Sequence, residues 1–432
     1  MMDGDRVILH SDINGFFANN ACFKKPAMRH KPSAVCGDIK LRHGVVLSVN
    51  MLAKLAGVTV GETIGGALKK CPELVIEMLD EQDNEKKSKE ANRLYAEYSD
   101  YVQPFGKDEA WIDITNLVRG IYDALAIADE IRKKMRERTG LTCSVGIGFN
   151  KTSAKIGSDL MKPDATTLIP REKFEEIVWP LPADKLLGVN SRTLRVFKEV
   201  MGIHTIGDVA RVHAGIMTGM FKKHGYYLHR YATGQENSPV THKDHIPPPK
   251  SIGNIETTPR DMETIDDVRR VVYTLAERVA SRLREQKYKA RTVQLYIREF
   301  DLKSCARQGK IESSPSFVTP SIAEKALDVF GRRYAFKKPL RTIGVKAAGL
   351  VPDDGSYQCS FFNDIEWNEK QEKIAFAMDT LRKMYGYNII NRAITREDDL
   401  TNIPFDYDRS SYRVGSAFIE SGEVEGYGEI IY

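Results

Sequence analysis

The 432-residue sequence is poor in the features that mark several protein classes. Its six cysteines, at 22, 36, 71, 143, 305 and 359, include no Cys-x-x-Cys pair, and only nine histidines could complement them. Zinc clusters of the finger or ribbon type are therefore not expected. The opening Met1-Met2-Asp3-Gly4-Asp5-Arg6 is too polar for a secretion signal, and no 18-residue apolar run exists to span a membrane. The cysteines read as reduced thiols, mostly core fillers, in a cytoplasmic protein. There is no internal repeat. What is present is 42% hydrophobic and 28% charged residues, the composition of a globular chain rather than a disordered or disulfide-stapled one. At roughly 100–200 residues per domain, about two to four domains are expected.

The net charge of +5 conceals a gradient. Residues 1–170 sum to +1, 171–250 to +4 and 251–352 to +8, whereas 353–432 sum to −8. A basic middle suits a polyanion partner, although a solvated mixed surface gives the same count.

Apolar patterning predicts a buried strand at Val7–His10, ending after Asp12 at Asn14-Gly15, and another over Gly44–Val49. Helices are predicted over Glu81–Tyr98, 117–138 and from an Asn150 cap to Met161, and two strands flank Gly106-Lys107. Thr142–Gly148 reads as a further strand. Short helices with Gly turns fill 171–235, and Pro239 with Pro247-Pro248-Pro249-Lys250 marks a stiff exposed linker. Beyond it, helices near 264–286 and 320–331 alternate with strands Thr292–Arg298 and Leu340–Ala347, a compact α+β domain. A last helix is predicted near 366–385, before a polar terminus.

Asp12 ends one apolar strand and Asp108-Glu109 begin another, where Ala110, Ile112 and Ile114 alternate with Trp111 and Asp113. Carboxylates beside apolar strands are costly unless paired or bound to metal, and three of them suit two Mg²⁺ ions in a phosphoryl transfer. Adjacent Asp and Glu face opposite sides of a strand, so both could serve only if the turn at Gly106 twists them round. On spacing alone the plainer reading, a capped surface hairpin, stands ahead of a metal site.

Three longer segments change that balance. Ile8-Leu9-His10-Ser11-Asp12-Ile13-Asn14-Gly15-Phe16-Phe17-Ala18, Pro104–Asp113 and Gly146–Lys151 with Ala154-Lys155-Ile156, Ser158-Asp159 and Lys162-Pro163 resemble the three signature blocks of the Y-family, lesion-bypass DNA polymerases. The bacterial polymerase IV branch is the most similar, and the resemblance runs from about residue 6 to 390. It implies a right-hand polymerase of α+β class, with a ferredoxin-like palm (1–14 and 81–170), small fingers (15–80) and a helical thumb with a helix–hairpin–helix (171–238). A linker (239–250), an α+β little finger (251–352) and an acidic C-terminal tail (353–432) follow.

The implied activity is template-directed addition of deoxynucleotides to a primer by a monomer that uses two Mg²⁺ ions, with low fidelity and tolerance of damaged bases. Asp12, Asp108 and Glu109 would be catalytic metal ligands, joined by the Ile13 carbonyl. Phe17 would be the steric gate against ribonucleotides; Phe16, Phe17, Ser48, Lys54 and Lys162 would hold the triphosphate. Gly188, Asn190, Ser191 and Arg192 of the hairpin, and Lys250, Ser251, Lys289, Arg291, Thr292, Arg332 and Arg333 of the little finger, are candidate DNA contacts. Asn190 replaces the second hairpin Gly and is expected to take a left-handed conformation. Gln358-Cys359-Ser360-Phe361-Phe362 resembles a sliding-clamp peptide, with Gln358, Ser360, Phe361 and Phe362 as its anchors. Met51 and Lys54 stand where the family commonly has Tyr and Arg, and Ala21 where it often has Glu. Those departures keep open a second reading, a catalytically impaired accessory that binds DNA and clamp.

Overall fold

A computed structural model describes residues 6–37, 44–312, 314–354, 365–395 and 400, with the side chains of Arg333, Ile365, Asn368 and Asn388 outside that set. The chain divides into two compact units at Ile246/Pro247.

The centre of the first unit is the strand Ile8–Ile13, buried along its whole length. Its alternation sends Leu9 and Ile13 into a core closed by the helices Glu81–Tyr95 and Ala124–Thr139, with Leu94, Ile131 and Met135. Ile8 faces the other way, toward Trp111 and Ala154 of the helix Lys151–Leu160. The period-2 rule puts His10 and Asp12 on that same side. Helices on both faces explain why a six-residue strand is buried throughout. The full sheet runs Val102–Phe105, Glu109–Asp113, Ile8–Ile13, Cys143–Gly148, Thr166–Ile169, antiparallel except for its last pair. The helix expected over 117–138 begins instead at Ala124. Two single 3₁₀ turns precede it, because Gly120 is extended and Asp123 folds back to accept from the Arg119 N–H at 3.1 Å.

Inserted after Ile13 are a helix, Phe16–Lys24, and a small sheet of Val46–Val49, Ser33–Cys36 and Val75–Met78 around Ala34, Cys36, Val46 and Ala67. After Ile169 come the helices Ser191–Met201, Ile206–Arg211 and Ala214–Ala232, which share a core of Phe197, Ile206, Val209, Met217 and Leu228. The predicted linker is only partly a linker. Val240 is buried against Ile8 and Trp111, the Lys243 N–H donates to the Asp100 carbonyl at 2.7 Å, and Arg6 donates to the Ser238 carbonyl at 2.7 Å. Residues 238–245 are thus strapped to the sheet, and the run free of such contacts is Ile246–Lys250.

The second unit is a four-stranded antiparallel sheet, Ser304–Lys310, Tyr288–Glu299, Leu340–Pro352, Ser251–Met262. Val293, Leu295, Ile297, Ile343, Val345 and Ala347 meet the helices Ile265–Glu285 and Thr319–Arg333. The opposite face carries Thr292, Gln294, Tyr296 and Arg298 beside Thr342 and Lys346.

The C-terminal segment departs from the expectation of a simple acidic tail. Its helix Ile365–Tyr385 docks on Ile265–Glu285 through buried ion pairs. Arg284 Nε lies 2.7 Å from Asp379, and Glu277 takes Arg382 at 3.1 Å and Arg392 at 2.8 Å. Phe376 meets Phe317 edge-on at 5.7 Å, and Leu400 is buried in the same core. The candidate clamp residues Gln358, Ser360, Phe361 and Phe362 lie outside the described residues.

Candidate active site

The hairpin after Phe105 turns at Gly106, whose φ of +78° is open to glycine at little cost. Asp108 therefore sits in the turn and Glu109 is the first residue of the strand, so the two do not point to opposite faces. Asp12 and Glu109 are direct cross-strand partners, and the Ile13 N–H donates to the Asp108 carbonyl at 2.9 Å. The three acids share one end of the sheet, each largely removed from water; Asp12 is 6% exposed.

Such crowding has an electrostatic consequence. Burial first, and then the Glu109 charge, raises the Asp12 carboxyl well above the usual range and pushes Asp108 up to about 6. Glu109 moves the opposite way: burial would raise it, but His10 and Lys155 outweigh that and hold it down. Lys162 Nζ lies 2.6 Å from Asp12 and 2.7 Å from Asp159, and Lys155 pairs with Glu109.

His10 is the residue that the sequence reading passed over. It is 0% exposed, with Nε2 3.2 Å from Glu109 Oε2 and Nδ1 2.8 Å from the Ser158 hydroxyl. Burial lowers its pKa to about 4, so the ring is neutral at pH 7. A proton on Nε2 then donates to the carboxylate while Nδ1 accepts from Ser158. Ser158 and Lys155 reach the site because their helix lies flush on the sheet. A Cβ at Gly146 would come within 1.9 Å of the Ala154 carbonyl oxygen, and one at Gly148 within 2.2 Å of Ser153 Oγ. The available signal was positional: His10 stands two residues before Asp12 on an alternating strand, hence on the same face.

Do these groups fit a divalent cation? Two carboxyls close to protonation at neutral pH form a site short of positive charge, which a divalent ion supplies. Among the described residues no three His, Cys, Asp or Glu side chains converge tightly enough to cage an ion unaided. That suits Mg²⁺, which keeps several waters and draws further ligands from substrate phosphates. The donor set fits.

The other predicted residues are dispersed. Phe16 is core; Phe17 is half-buried, its ring 5.3 Å from that of Phe16. Ser48 is buried, its hydroxyl accepting from the Ala18 N–H at 3.2 Å, and Lys54 is exposed on the short helix Met51–Leu55. In the thumb hairpin the left-handed residue is Gly188, at φ +95°. Asn190 is extended instead, and its side chain caps the next helix by accepting from the Thr193 N–H at 2.8 Å. Ser191 and Arg192 are exposed in that helix's first turn. In the second unit Lys250, Arg291 and Arg332 are exposed, and Ser251 and Thr292 are half-buried. Arg332 pairs with Asp328. Lys289 is not a surface cation: it is 5% exposed, with Nζ 2.9 Å from Asp353.

Comparison with known proteins agrees with this geometry. Residues 11–159 match the impB/mucB/samB family and residues 249–361 match that family's C-terminal domain. The DNA polymerase IV of Acetivibrio thermocellus is 40% identical over 393 residues, 91% of this chain and 98% of its own. The chain belongs to the Y-family of DNA polymerases. Y-family relatives recur across the Clostridia and Bacilli: the DNA polymerase IV of Clostridium kluyveri is 32% identical, covering 89% of this chain and 97% of its own. DNA polymerase IV 1 of Bacillus subtilis is 30% identical, with 90% and 93% covered. A solved Y-family DNA polymerase chimera has the same fold, with a TM-score of 0.69 at 22% identity over 80% of this chain and 99% of its own. Family membership makes this chain a DNA-directed DNA polymerase, with the right-hand arrangement of palm, fingers, thumb and little finger. Among the described residues no helix is long and apolar enough to cross a membrane.

Proposed function

We propose that this polymerase adds deoxynucleotides to a primer 3′ end opposite damaged as well as intact template, using two Mg²⁺ ions held by Asp12, Asp108, Glu109 and the Ile13 carbonyl. The observation that carries the reading is the cross-strand pairing of Asp12 with Glu109, with Asp108 in the adjoining turn. Bound there, the ions would acidify the primer 3′-hydroxyl and offset triphosphate charge. The chain's own groups do the positioning. Neutral His10 directs a hydrogen bond at Glu109 Oε2 without cancelling its charge. Lys155 and Lys162, paired with the acids in the free protein, are cations available to the triphosphate, with Lys54 beside them as an exposed point charge. The helix starting at Phe16 adds first-turn N–H groups of Phe16 and Phe17. Primer extension by the purified protein, strictly dependent on template, Mg²⁺ and Asp108, is the direct test. The three intact carboxylates favour this reading over a noncatalytic accessory.

The titration of the site gives a pH dependence. Asp108 must lose its proton to bind a cation, so kcat/KM should fall as pH drops through about 6. Mg²⁺ competes with that proton, so raising its concentration should move the acid limb to lower pH. A limb indifferent to Mg²⁺ would assign it to other groups. In the metal-free protein the same raised carboxyls cost stability at neutral pH and cease to do so on acidification, because the folded state binds their protons more tightly.

Phe17 acts, on this reading, as the steric gate. Phe17→Ala should open room for a 2′-hydroxyl and let ribonucleotides be incorporated at rates approaching those of deoxynucleotides. Single-nucleotide insertion kinetics with both sugars test this; unchanged discrimination would return Phe17 to a packing role.

DNA is gripped by backbone N–H groups of the hairpin Gly188–Ser191, with Arg192, at a helix N-terminus, and by Lys250, Ser251, Arg291, Thr292, Arg332 and Arg333 of the little finger. The peptide Gln358–Phe362 is assigned to a sliding clamp. The enzyme is taken to work as a monomer in the bacterial cytoplasm, where the chromosome lies.

A further inference from the structure

From Val209 to Gln235 the chain contains no Asp or Glu, while Arg211, Lys222, Lys223 and Arg230 contribute four positive charges. The stretch falls between the two segments that match the family, 11–159 and 249–361. It includes the helix Ala214–Ala232, broken at Lys222 by a φ of +55°. After the break the helix has two unlike faces. Gly225, Leu228 and Ala232 are buried in the thumb core. At the helical spacing i, i+3, i+4, i+7 the other face presents Lys223, Tyr226, Tyr227 and Arg230.

Tyr226 is 46% and Tyr227 38% exposed, unusual for neighbouring aromatic rings on a solvated helix. Their rings meet edge-on at 5.6 Å, and Tyr227 stacks with Tyr231 at 6.2 Å and 29°. Arg230 lies 5.6 Å from the centre of the Tyr226 ring, and Lys223 6.0 Å from that of Tyr227. The cations hold the rings in place, which lowers the entropy lost when a ligand stacks on them.

We propose that this face is a single-stranded nucleic-acid site, with Tyr226 and Tyr227 stacking on unpaired bases and Lys222, Lys223 and Arg230 meeting the phosphates. The acid-free charge selects a polyanion. The rings select among polyanions: a duplex offers a helix face mainly phosphates, for which lysine and arginine suffice, whereas unpaired bases offer π-faces that tyrosine can use. The site thus goes beyond the duplex grip and catalysis proposed above. It would hold unpaired template, or a bare strand, independently of the metal site.

The test uses the full chain and fluorescence anisotropy of a labelled 20-nucleotide oligo-dT and of a blunt duplex of equal length. Stacking is worth about 1–3 kcal/mol per base, so Tyr226→Ala with Tyr227→Ala should weaken oligo-dT binding by roughly ten- to a hundred-fold while leaving duplex affinity within about two-fold. Tyr226→Phe with Tyr227→Phe, which keeps both rings, should retain oligo-dT affinity and guards against a folding artefact. Lys222→Gln with Lys223→Gln should reduce the salt dependence of oligo-dT binding by about two phosphate contacts. Extension of a primer–template with a one-nucleotide overhang should persist in the alanine variant, which separates this site from the polymerase reading. Unchanged oligo-dT affinity, equal loss on duplex, or loss of short-overhang extension would each overturn the proposal.

Discussion

Asp108→Ala is expected to reduce primer extension by on the order of 10³-fold or more, since it removes a charge placed where the transferred phosphoryl group needs a cation held. The same change should leave DNA affinity intact or slightly improved, because one negative charge is lost near a polyanion. It should also leave the metal-free fold as stable as before or more so. Asp108 is a desolvated carboxyl pushed up to about 6, crowded by the Glu109 charge, so the free protein carries it at a cost. Loss of activity with retained stability and retained DNA binding is the pattern that marks a catalytic group. Full extension by the variant would sink the assignment of Asp12, Asp108 and Glu109. Unfolding of the variant would show that the carboxyl is structural.

The second large effect is expected far from the chemistry. Glu277 accepts from both Arg382 and Arg392, and replacing it by alanine strands two guanidinium groups where little water reaches. Breaking a buried pair from one side costs about 3–5 kcal/mol, enough to lower the melting temperature of a unit this size by about 10 °C. Asp379→Ala, which orphans Arg284, should act similarly. The control is Glu369→Ala, whose exposed partner Lys373 lies 3.9 Å away and whose loss should be nearly silent. Thermal unfolding followed by circular dichroism distinguishes them; equal shifts for Glu277 and Glu369 would mean that the C-terminal helix is not integral to the unit.

That helix illustrates what sequence reading can and cannot deliver. Its existence was legible from Ile374, Met378, Leu381 and Tyr385 at helical spacing. Its docking was not, because Asp379 and Arg382 look like a solvated face until the partners Arg284 and Glu277, about a hundred residues earlier, are known. The strap at 238–245 hid for the same reason: prolines announce a linker, whereas Val240 and Lys243 declare their anchors only in three dimensions. Asn190 was given the wrong conformation because Asn serves both left-handed turns and helix caps, and the following Ser191–Met201 helix decides for the cap. The carboxylates were legible because a turn glycine and two alternating strands bring them together locally. His10 lay in plain view on the right face. An apolar strand, however, gives no hint that a neutral imidazole there bridges Glu109 to a helix entering from residue 151.

The flush seating of that helix on Gly146 and Gly148 has an implication for random mutagenesis. A single methyl at either position must lift Lys151–Leu160 from the sheet, carrying Ser158 away from His10 and Lys155 away from Glu109 together. An activity screen would therefore score these two glycines as catalytic hits, although neither carries a functional group. Reversion would be sought in vain among polar residues; the suppressors belong at Ala154 and Ser153, where atoms can be removed or moved to make room.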